Sequence, residues 1–286
     1  MKPSPFFRRS LFALSLSLVA SGAFAQAQPA TKPSQAQPAT KPFEPQVGQA
    51  GKDVVWVPTP QALVDRMLDM AKLTAQDIHM DLGSGDGRTV ITAAKRGATA
   101  TGIEYNPNMV ELSRRNAAAA GVPAGKATFT NADLFETDLS KATVITMFLL
   151  PQINMKLRPK ILDLKPGTRI VSNTFTMEDW EPDETSTVGD GCESWCTALL
   201  WIVPAKVQGT WTLPQGELTL TQGFQKISGT LKSGTTATPI ANGRLRGDEV
   251  TFTAGGSTYT GRVNGNAMQG TIAGAGAGKW SASKVK

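Results

Sequence analysis

The feature that most constrains this chain is a glycine-rich turn between a short apolar run and a helix. Residues 80–88 read MDLGSGDGR, and the pattern continues as a helix over residues 89–95. A second short strand is predicted at 100–104 and ends in Glu104. Glycine lets the backbone bend sharply and lets a ligand approach, and the first turn of the helix offers free N–H groups. This unit therefore predicts a ligand site with an acid at the tip of its second strand.

The spacing of the glycines distinguishes two kinds of nucleotide site. The dinucleotide pattern is G-x-G-x-x-G, whereas here Gly83, Gly85 and Gly87 follow Asp81 as G-x-G-x-G. This arrangement resembles motif I of the class I methyltransferases that use S-adenosylmethionine (SAM), with Glu104 and Asp133 in register. The resemblance implies SAM as the cofactor, bound by Asp81, Gly83, Ser84, Gly85, Asp86, Gly87, Glu104, Asn106, Asp133 and Leu134. The alternatives are a tight turn without a ligand, and an Asp133 that only caps a turn.

Charge and composition limit the classes of partner. The net charge is +6, and three of the basic residues, Lys2, Arg8 and Arg9, lie near the start of the chain. The remaining excess is mild and no Lys/Arg run is interleaved with aromatics, so we expect no nucleic acid partner. The chain has one histidine, His79, and two cysteines, so no metal site is expected. His79 enters the central strand and is interpreted as a strand-end residue rather than a catalyst.

The first 52 residues predict export and a tether. A basic start, an apolar stretch at 11–19 and the small residues of Ala23-Phe24-Ala25 are typical of a secretory signal, residues 1–25, cleaved after Ala25. We therefore expect a periplasmic location and no stable membrane span after cleavage, with an uncleaved anchor as the alternative. Residues 8–12 also resemble a twin-arginine signal loosely, which exports folded proteins. Residues 26–52 repeat a Pro/Gln/Ala-rich segment and are predicted to be a disordered linker.

Residues 53–204 alternate between helical and strand patterns. Helices are predicted after Pro60, from Asn106 to near Gly121, and at 161–167. Further strands are predicted at 127–130, 144–149, 169–175 and 198–203. The alternation predicts an α/β domain with a doubly wound, mostly parallel sheet, which is Rossmann-like. Ligands of such sheets bind at the carboxyl ends of the strands.

Two cysteines lie in the loop before the last of these strands. Cys192 and Cys196 are separated by three residues, whereas a redox C-x-x-C motif has two. In an oxidising compartment the pair can form a structural disulfide that closes a small loop. Free thiols are the alternative.

Residues 207–286 change character. Glycine and threonine become frequent, and apolar residues alternate with polar ones, which is typical of half-buried strands. Hairpin turns are predicted at Asn242-Gly243, Gly247-Asp248, Gly255-Gly256 and Asn264-Gly265. The segment is predicted to be a small antiparallel β domain, either a sandwich or a partial barrel. Substrate docking and simple stabilisation both remain open as its role.

A more specific resemblance covers about residues 53–204. The segments 57–60, 81–88, 102–107, 113–114, 133–135 and 148–152, with Phe175 and Trp180 further on, resemble the small seven-strand protein-lysine methyltransferases. The mitochondrial members of that family modify the c-subunit of ATP synthase and the adenine nucleotide translocase. The family differs in acting where SAM is abundant, and it is richer in methionine where this chain has Ile153-Asn154. The signal, the repeat and the β domain lie outside the resemblance.

The resemblance also implies roles for single residues. Asp81 would orient the methionine end of SAM, Glu104 would bind the ribose and Asp133 the adenine. The target amine would meet a pocket lined by Phe148, Pro151 and Gln152 and closed from the N-terminal side by Trp56, Val57 and Thr59. Phe148 as plain sheet core is the alternative.

Together these observations predict an exported SAM-dependent methyltransferase that N-methylates a lysine or another amine on a protein. A non-catalytic envelope protein that keeps a nucleoside-binding fold is one alternative, and a small-molecule methyltransferase is another. The Asp/Asn-Pro-Pro-aromatic motif of DNA amino-methylating enzymes is absent, since Leu150-Pro151-Gln152 stands in that region. The oligomeric state is left open.

Overall fold

The computed structural model describes residues 42–285 of the chain. The chain divides into two units, Met1–Pro42 and Phe43–Lys286, and all helices and strands described below lie in the second. The predicted signal segment 1–25 and the predicted linker as far as residue 41 lie outside the described residues. Within residues 42–285, no helix is long and apolar enough to cross a membrane.

The first half of the described chain forms a seven-stranded sheet. Its strands are β1 Ile78–Leu82, β2 Thr99–Glu104, β3 Ala127–Asn131, β4 Val144–Met147, β5 Arg169–Asn173, β6 Glu184–Thr187 and β7 Thr197–Ile202. The spatial order is β3-β2-β1-β4-β5-β7-β6. Strands β1 to β5 are parallel to one another, and β7 runs antiparallel to both β5 and β6. The predicted α/β class and the mostly parallel sheet are thus confirmed.

Helices cover both faces of this sheet. They are α1 Gln61–Met70, α2 Arg88–Lys95, α3 Pro107–Ala119 and α4 Pro151–Leu162. All four residues of β4 are buried, which explains why its sequence, VITM, does not alternate between apolar and polar residues. Val144 belongs to the buried cluster that contains Leu63 of α1, whereas Ile145 belongs to the one that contains Leu157 of α4, so consecutive residues enter different layers of the core. The sheet is therefore buried between two helical layers.

Helix α4 lies earlier in the chain than the sequence predicts. The predicted strand 144–149 ends at Met147, and the helix predicted at 161–167 runs instead from Pro151 to Leu162. Proline suits the first helical position because its φ is fixed and its missing N–H is not needed there. Residues 163–167 form a turn that ends at Gly167, whose φ is +93°. Pro151 and Pro159 make this segment look non-helical in sequence. The helix forms because Ile153, Leu157 and Ile161 bury one of its faces.

Two other boundaries differ at the antiparallel edge of the sheet. The strand predicted at 169–175 ends at Asn173, because Thr174 adopts a left-handed φ of +58°. Strand β6 is missing from the prediction, since its sequence, ETST, is polar and mostly exposed. Pairing with β7 alone makes this segment a strand.

Residues 209–284 form a second, entirely antiparallel sheet. Its strands are β8 Gly209–Leu213, β9 Gly216–Gly223, β10 Lys226–Ser233, β11 Thr236–Pro239, β12 Ala241–Arg246, β13 Glu249–Ala254, β14 Ser257–Asn264, β15 Ala267–Gly274 and β16 Gly278–Lys284. The order is β11-β10-β12-β13-β14-β15-β16-β8-β9, and β9 also pairs with β10. The pairings therefore close into a ring, and the predicted antiparallel β domain is barrel-like, with β11 attached to β10.

Of the four hairpin turns predicted in this barrel, two lie where they were predicted, one is shifted and one is wrong. Turns lie at Gly247-Asp248 and Gly255-Gly256 as predicted, and the turn predicted at Asn264-Gly265 falls one residue later. The turn predicted at Asn242-Gly243 is wrong, since both residues lie inside β12. The register shifts there between Ala241 and Arg244, and Asn242 has a φ of +54°, so the asparagine and glycine serve a β-bulge. A bulge and a turn share the need for a positive φ, which explains the misassignment.

The barrel interior is aromatic. Trp211 is fully buried, and Trp280 packs at 5.8 Å from Phe252 and 5.9 Å from Tyr259, measured between ring centroids. Phe252 and Tyr259 stack on each other at 4.7 Å. These side chains fill the interior of the barrel together with aliphatic residues from most of its strands.

Candidate active site

A cleft lies at the carboxyl ends of the parallel strands. It opens beside β1 and β4, where the strand order reverses direction, which is the usual ligand position in open α/β sheets. All of the residues predicted to bind the cofactor, except Gly87, line this cleft: Asp81, Gly83, Ser84, Gly85, Asp86, Glu104, Asn106, Asp133 and Leu134. The fold thus gathers residues from three separate segments of the sequence, 81–86, 104–106 and 133–134.

Asp81 lies next to the last residue of β1 and is a carboxylate with little access to water. It is 7 % exposed, and the hydroxyl of Thr146 on β4 donates to Oδ1 at 2.6 Å. Burial raises the pKa of Asp81 to about 7, and the nearby negative charges of Asp86 and Glu104 add to the shift. Hydrogen bonds from Thr146 and Thr89 oppose it. A buried acid in this state favours a cationic ligand, because a positive charge stabilises the ionised form.

His79 supports Asp81 through Thr146. Its Nε2 lies 2.8 Å from Thr146 Oγ1. Because the threonine hydroxyl proton is directed at Asp81, we assign Nε2 of the histidine as the donor to that oxygen. Burial lowers the pKa of His79 to about 3, so the ring is neutral. His79 does not line the cleft, and its place on β1 is a positioning one.

Glu104 is held at the tip of β2 by two backbone groups. The N–H of Gly85 donates to Oε2 at 2.9 Å, and the N–H of Asn106 donates to Oε1 at 2.9 Å. Asn106 itself caps α3, its side chain accepting from the N–H of Asn108. The carboxylate is therefore fixed before any ligand arrives, and its remaining lone pairs can accept the two hydroxyls of a ribose.

Asp133 follows β3 and makes two contacts. It accepts the N–H of Phe135 at Oδ1 at 2.9 Å, so it does cap a turn, and Lys52 Nζ lies 2.5 Å from Oδ2. The hydrogen bond from Lys52 is the main cause that lowers the pKa of Asp133. Lys52 also lies 4.8 Å from the ring centroid of Tyr105. The acid predicted to meet an adenine amine thus already holds a cation from the N-terminal segment.

The three glycines of the turn have different neighbours. A Cβ on Gly83 would lie 3.2 Å from Leu149 Cδ2, and one on Gly85 would lie 2.6 Å from Trp56 Nε1. A Cβ on Gly87 would lie 2.7 Å from Phe129 and 2.9 Å from Ser113, away from the cleft. The first two glycines keep the cleft open to a ligand, whereas Gly87 lets α2 pack closely on α3 and β3.

Ser84 also packs inward. A Cβ on Gly102 would lie only 2.5 Å from Ser84 Oγ, so the serine side chain rests directly on β2. Its Oγ is buried and has no hydrogen-bond partner among the described residues. Its N–H donates to the carbonyl of Ile103 at 3.0 Å. Ser84 therefore joins the turn to β2 at a backbone approach that only glycine permits at position 102.

The segment before α1 lies over the cleft. Trp56, Val57 and Thr59 are among its lining residues, as are residues 49–55. Trp56 is fixed by two backbone bonds, from its N–H to the carbonyl of Gln49 and from the N–H of Gly48 to its own carbonyl, both 2.9 Å. Arg88 joins the segment to the turn, since it donates to the carbonyl of Thr59 at 3.0 Å and pairs with Asp86 at 2.6 Å. This segment stands where the sequence predicts the pocket to be closed.

Of the three residues predicted to line the pocket for the target amine, one lines the cleft and two do not. Phe148 follows β4, is half-buried and lines the cleft. Pro151 and Gln152 form the first turn of α4 and do not line it, and Gln152 is exposed. Leu149 and Ile153 line the cleft instead, because the helix starts at Pro151 and turns Ile153 inward.

Phe148 belongs to an aromatic group whose members lie far apart in the sequence. Its ring stacks on Phe175 at 5.8 Å, and Trp195 lies 6.1 Å from Phe148 and 5.4 Å from Phe175. We name these three side chains the aromatic rim. Trp195 lies inside the loop closed by the Cys192–Cys196 disulfide. The signal that could have identified it is a tryptophan placed between two cysteines.

The donor set of the cleft fits a cationic nucleoside. Asp81, Glu104 and Asp133 bring three carboxylates to one opening, which would repel the pyrophosphate of a dinucleotide. SAM carries a sulfonium and an ammonium group, both of which are positively charged. It also carries a ribose diol and an adenine amine, from which carboxylates can accept hydrogen bonds. Among residues 42–285, no three His, Cys, Asp or Glu side chains are placed so that they could hold a metal ion together. The three carboxylates that line the cleft suit the charged and hydroxyl groups of SAM.

Comparisons with known proteins agree with this geometry. A family model described as the ANTKMT methyltransferase domain matches residues 81–184. A protein-lysine N-methyltransferase of Saccharolobus islandicus is 46 % identical over 141 residues, which are 48 % of this chain and 87 % of that protein. The lysine N-methyltransferase of the ATP synthase C-subunit in Mus musculus is 36 % identical over 140 residues, 49 % of this chain and 55 % of that protein.

A solved structure is similar over about the same share of the chain. The crystal structure of an RNA methyltransferase from Salinibacter ruber, in complex with S-adenosyl-L-homocysteine, shares 46 % sequence identity with this chain. It covers 53 % of this chain and 96 % of its own, with a TM-score of 0.49. The matched family model, the relatives and the donor set of the cleft lead to one conclusion: the chain belongs to the ANTKMT-type family of methyltransferases, and it is a class I enzyme that uses SAM.

Proposed function

We propose that this enzyme transfers a methyl group from SAM to the side-chain amine of a lysine on a protein in the cell envelope. The observation that carries the proposal is the position of Phe148, which joins the acid-lined cofactor cleft to the aromatic rim. A nucleophile that enters beside Phe148 reaches the methionine end of the cleft, where Asp81 lies. The 46 % identical relative, which is named a protein-lysine N-methyltransferase, supports this choice of substrate.

The cofactor supplies an activated methyl group on its sulfonium, so the protein has little covalent chemistry to perform. Asp81 would hold the ammonium end of SAM, and Glu104, which two backbone N–H groups fix at the tip of β2, would hold the ribose. With the cofactor held in this way, the cleft would bring the methyl group and the incoming amine together, and that proximity would favour transfer. SAM would supply the methyl group to the lysine nitrogen and would leave as S-adenosylhomocysteine.

The amine must lose its proton before it attacks. With a reference pKa of ~10.4, roughly one lysine in 2,500 is neutral at pH 7. The apolar side chains of Phe148, Leu149 and Ile153 beside the cleft disfavour the charged form through desolvation. The proton leaves to water at the open mouth of the cleft, and no residue of the chain has to act as a strong base.

Export rests on the signal pattern of residues 1–25. The disulfide between Cys192 and Cys196 supports it, since such bonds persist in oxidising compartments. The twin-arginine resemblance at 8–12 offers a route by which a folded, cofactor-loaded enzyme leaves the cytoplasm. The proposal therefore places the enzyme in the periplasm, with a protein as its substrate and no nucleic acid partner.

The test is methyl transfer from labelled SAM. The purified enzyme is incubated with an envelope protein extract, with small amines and with total RNA, and the labelled product is digested and identified by mass spectrometry. We expect label on the Nζ of lysine in envelope proteins. Label confined to RNA or to small amines would overturn the substrate assignment.

Two variants test whether methyl transfer depends on the cleft. Glu104→Ala removes the carboxylate that Gly85 and Asn106 position, and we expect the affinity for SAM to fall at least about tenfold, as for a lost charged hydrogen bond. Glu111→Ala removes an exposed acid of α3 that pairs with Arg114, and should leave affinity and transfer unchanged. Equal transfer by both variants would contradict the proposed cofactor site.

A further inference from the structure

We propose that the aromatic rim, with Trp195 held by the Cys192–Cys196 disulfide, is the docking site for the substrate lysine side chain. The inference rests on the proposed function and deepens it, because it assigns the path by which the amine reaches Phe148. Phe175 and Trp195 do not line the cofactor cleft, so the rim extends the site outward from it.

The rim lies at the catalytic edge of the sheet. Phe148 follows β4, Phe175 follows β5, and Trp195 precedes β7, which runs antiparallel to β5. All three residues therefore stand at the edge where the parallel strands end. Phe148 is shared between the rim and the cleft, so the two are continuous.

The backbone beneath the rim is tightly fixed. The carbonyl of Phe175 accepts from Ser172 Oγ at 2.8 Å and from Asn154 Nδ2 at 3.2 Å. Thr174 and Trp195 both have a φ of +58°, a region that residues other than glycine rarely adopt. Strained positions of this kind persist only where the surrounding structure imposes them, and they cluster at functional sites.

Trp195 is partly exposed to solvent. Its side chain packs on two rings, yet 44 % of the residue is exposed. The disulfide joins Cys192 and Cys196, which precede and follow it in the loop. The carbonyl of Cys196 accepts a hydrogen bond from the N–H of Val188 at 2.9 Å. An exposed tryptophan held rigidly in this way loses little entropy when a ligand binds.

The charge around the rim fits a cation. Asp190 and Glu193 belong to the same loop as Trp195, are exposed, and form no ion pair within residues 42–285. They also line a surface depression beside the disulfide. An ammonium group over the face of a tryptophan gains a cation–π interaction, and these carboxylates attract it. Since nearly all lysine side chains are charged at neutral pH, the docking site has to receive the ammonium form.

The occupant is therefore the long side chain of a lysine. Its methylene stem covers the apolar rings, while its ammonium lies over Trp195 and near the acids, as amphipathic side chains commonly do. Moving inward past Phe175 to Phe148 strips water from the amine and favours its neutral form. The rim thus selects the charged residue that the cleft then uses as a nucleophile.

The first experiment measures peptide binding to the full chain loaded with S-adenosylhomocysteine. Two short peptides are compared, identical except that one carries lysine and the other norleucine. We expect the wild-type enzyme to prefer the lysine peptide by about fivefold to thirtyfold, the range of a partly desolvated cation–π contact. Trp195→Ala should remove the preference, and Trp195→Phe should keep part of it. Equal binding of the two peptides by the wild type would overturn the proposal.

The second experiment measures methyl transfer to the lysine peptide. Trp195→Ala, and the pair Cys192→Ser with Cys196→Ser, should raise KM about fivefold or more with little change in kcat or in SAM affinity. Val285→Ala removes a side chain of similar exposure at the far end of the chain and should change nothing. An unchanged KM in Trp195→Ala would overturn the docking site.

The two experiments also separate this inference from the proposed function. If the wild type transfers methyl groups and Trp195→Ala has the same KM, the rim is wrong and lysine methylation stands. If the wild type methylates no lysine, yet loses its lysine preference on Trp195→Ala, the rim stands as a cation site and the proposed function is wrong. Circular dichroism of each variant verifies that it has folded.

Discussion

Asp81 shows how a single residue links folding to ligand choice. Its pKa of about 7 lies above the ordinary value of 3.8, so the folded state holds a proton more tightly than the unfolded chain does. The stability that depends on that proton is present at low pH and is lost as the pH rises through about 7. The shift corresponds to about 4 kcal/mol, since each pKa unit is worth about 1.4 kcal/mol. A cationic ligand that pairs with the carboxylate recovers part of this cost.

The affinity for SAM should therefore rise with pH. Below about pH 7 Asp81 is mostly protonated and binding must first remove its proton, so we expect affinity at pH 5.5 to be about twentyfold weaker than at pH 7.5. Isothermal titration at several pH values measures this. Thr146→Val removes the donor to Oδ1 and should move the midpoint to higher pH, whereas Asp138→Asn, at an exposed turn, should leave it in place. A flat profile in the wild type would contradict the assigned role.

Residues at the ends of predicted strands could be identified from the sequence. Asp81 and Glu104 each close a strand pattern next to the glycine turn, so their convergence follows from parallel topology alone. Lys52 and Trp195 could not be identified in this way. Lys52 reaches Asp133 from a segment 81 residues away, and Trp195 is placed by a loop closed by a disulfide. Neither residue belongs to a helical or strand pattern in the sequence that would predict its position.

At the scale of elements, the glycine turn and α2 depend on close approach to α3 and β3. Gly87 is the N-cap of α2 with a φ of +82°, and a Cβ there would meet Phe129 and Ser113 at under 3 Å. Gly121 has a φ of +67° with nothing within 4 Å of a built Cβ. The two positions share backbone strain and differ only in their packing.

Alanine at these two glycines separates the two effects. Gly121→Ala should cost about 1 kcal/mol, from the left-handed backbone alone. Gly87→Ala should cost about 1–3 kcal/mol more, because the added methyl group overpacks the α2–α3 contact, and it should also weaken SAM binding by moving the turn. Chemical denaturation and SAM titration measure both quantities. Equal losses in the two variants would mean that the packing around Gly87 relaxes freely.

Periodicity predicted most of the helices and strands and failed where another signal overlaid it. Proline at positions 151 and 159 obscured α4, although Ile153, Leu157 and Ile161 lie on one helical face. Asn242-Gly243 satisfied a bulge rather than a turn. The closure of the barrel depends on the pairing of β9 with β10 together with a chain of pairings around the ring, and no local pattern contains that information.

At the scale of the whole molecule, the barrel is joined to the methyltransferase sheet by a compact junction. Phe224, from the turn between β9 and β10, stacks on Trp180 at 5.7 Å, and Arg158 of α4 lies 5.2 Å from the centroid of the Phe224 ring. Gln225 donates to the carbonyl of Glu181 at 2.8 Å. Trp180, which matches the family segment in the sequence, is fully buried here and also accepts at its carbonyl from Trp201. The junction thus covers core that the methyltransferase sheet would otherwise expose.

An ion pair at this junction allows a direct test of that coupling. Asp183 has a fully buried side chain, and its carboxylate accepts the N–H of Ile202 at 2.9 Å and pairs with Arg244 of β12 at 2.6 Å. Arg262 lies on the same barrel but pairs with the exposed acids Asp248 and Glu249. Removing Arg244 leaves a buried carboxylate without its cation, whereas removing Arg262 leaves only solvated charges.

We expect Arg244→Met to destabilise the protein by about 1–3 kcal/mol and Arg262→Met by less than about 1 kcal/mol. For a chain of this size the first loss corresponds to a fall in Tm of roughly 2–12 °C. Calorimetry with and without SAM measures it, and because the cleft lies in the other sheet, saturating SAM should raise the Tm of both variants. If the two arginine variants melted alike, the barrel would be attached through the connecting chain alone, and its role would have to be sought outside the stability of the enzyme.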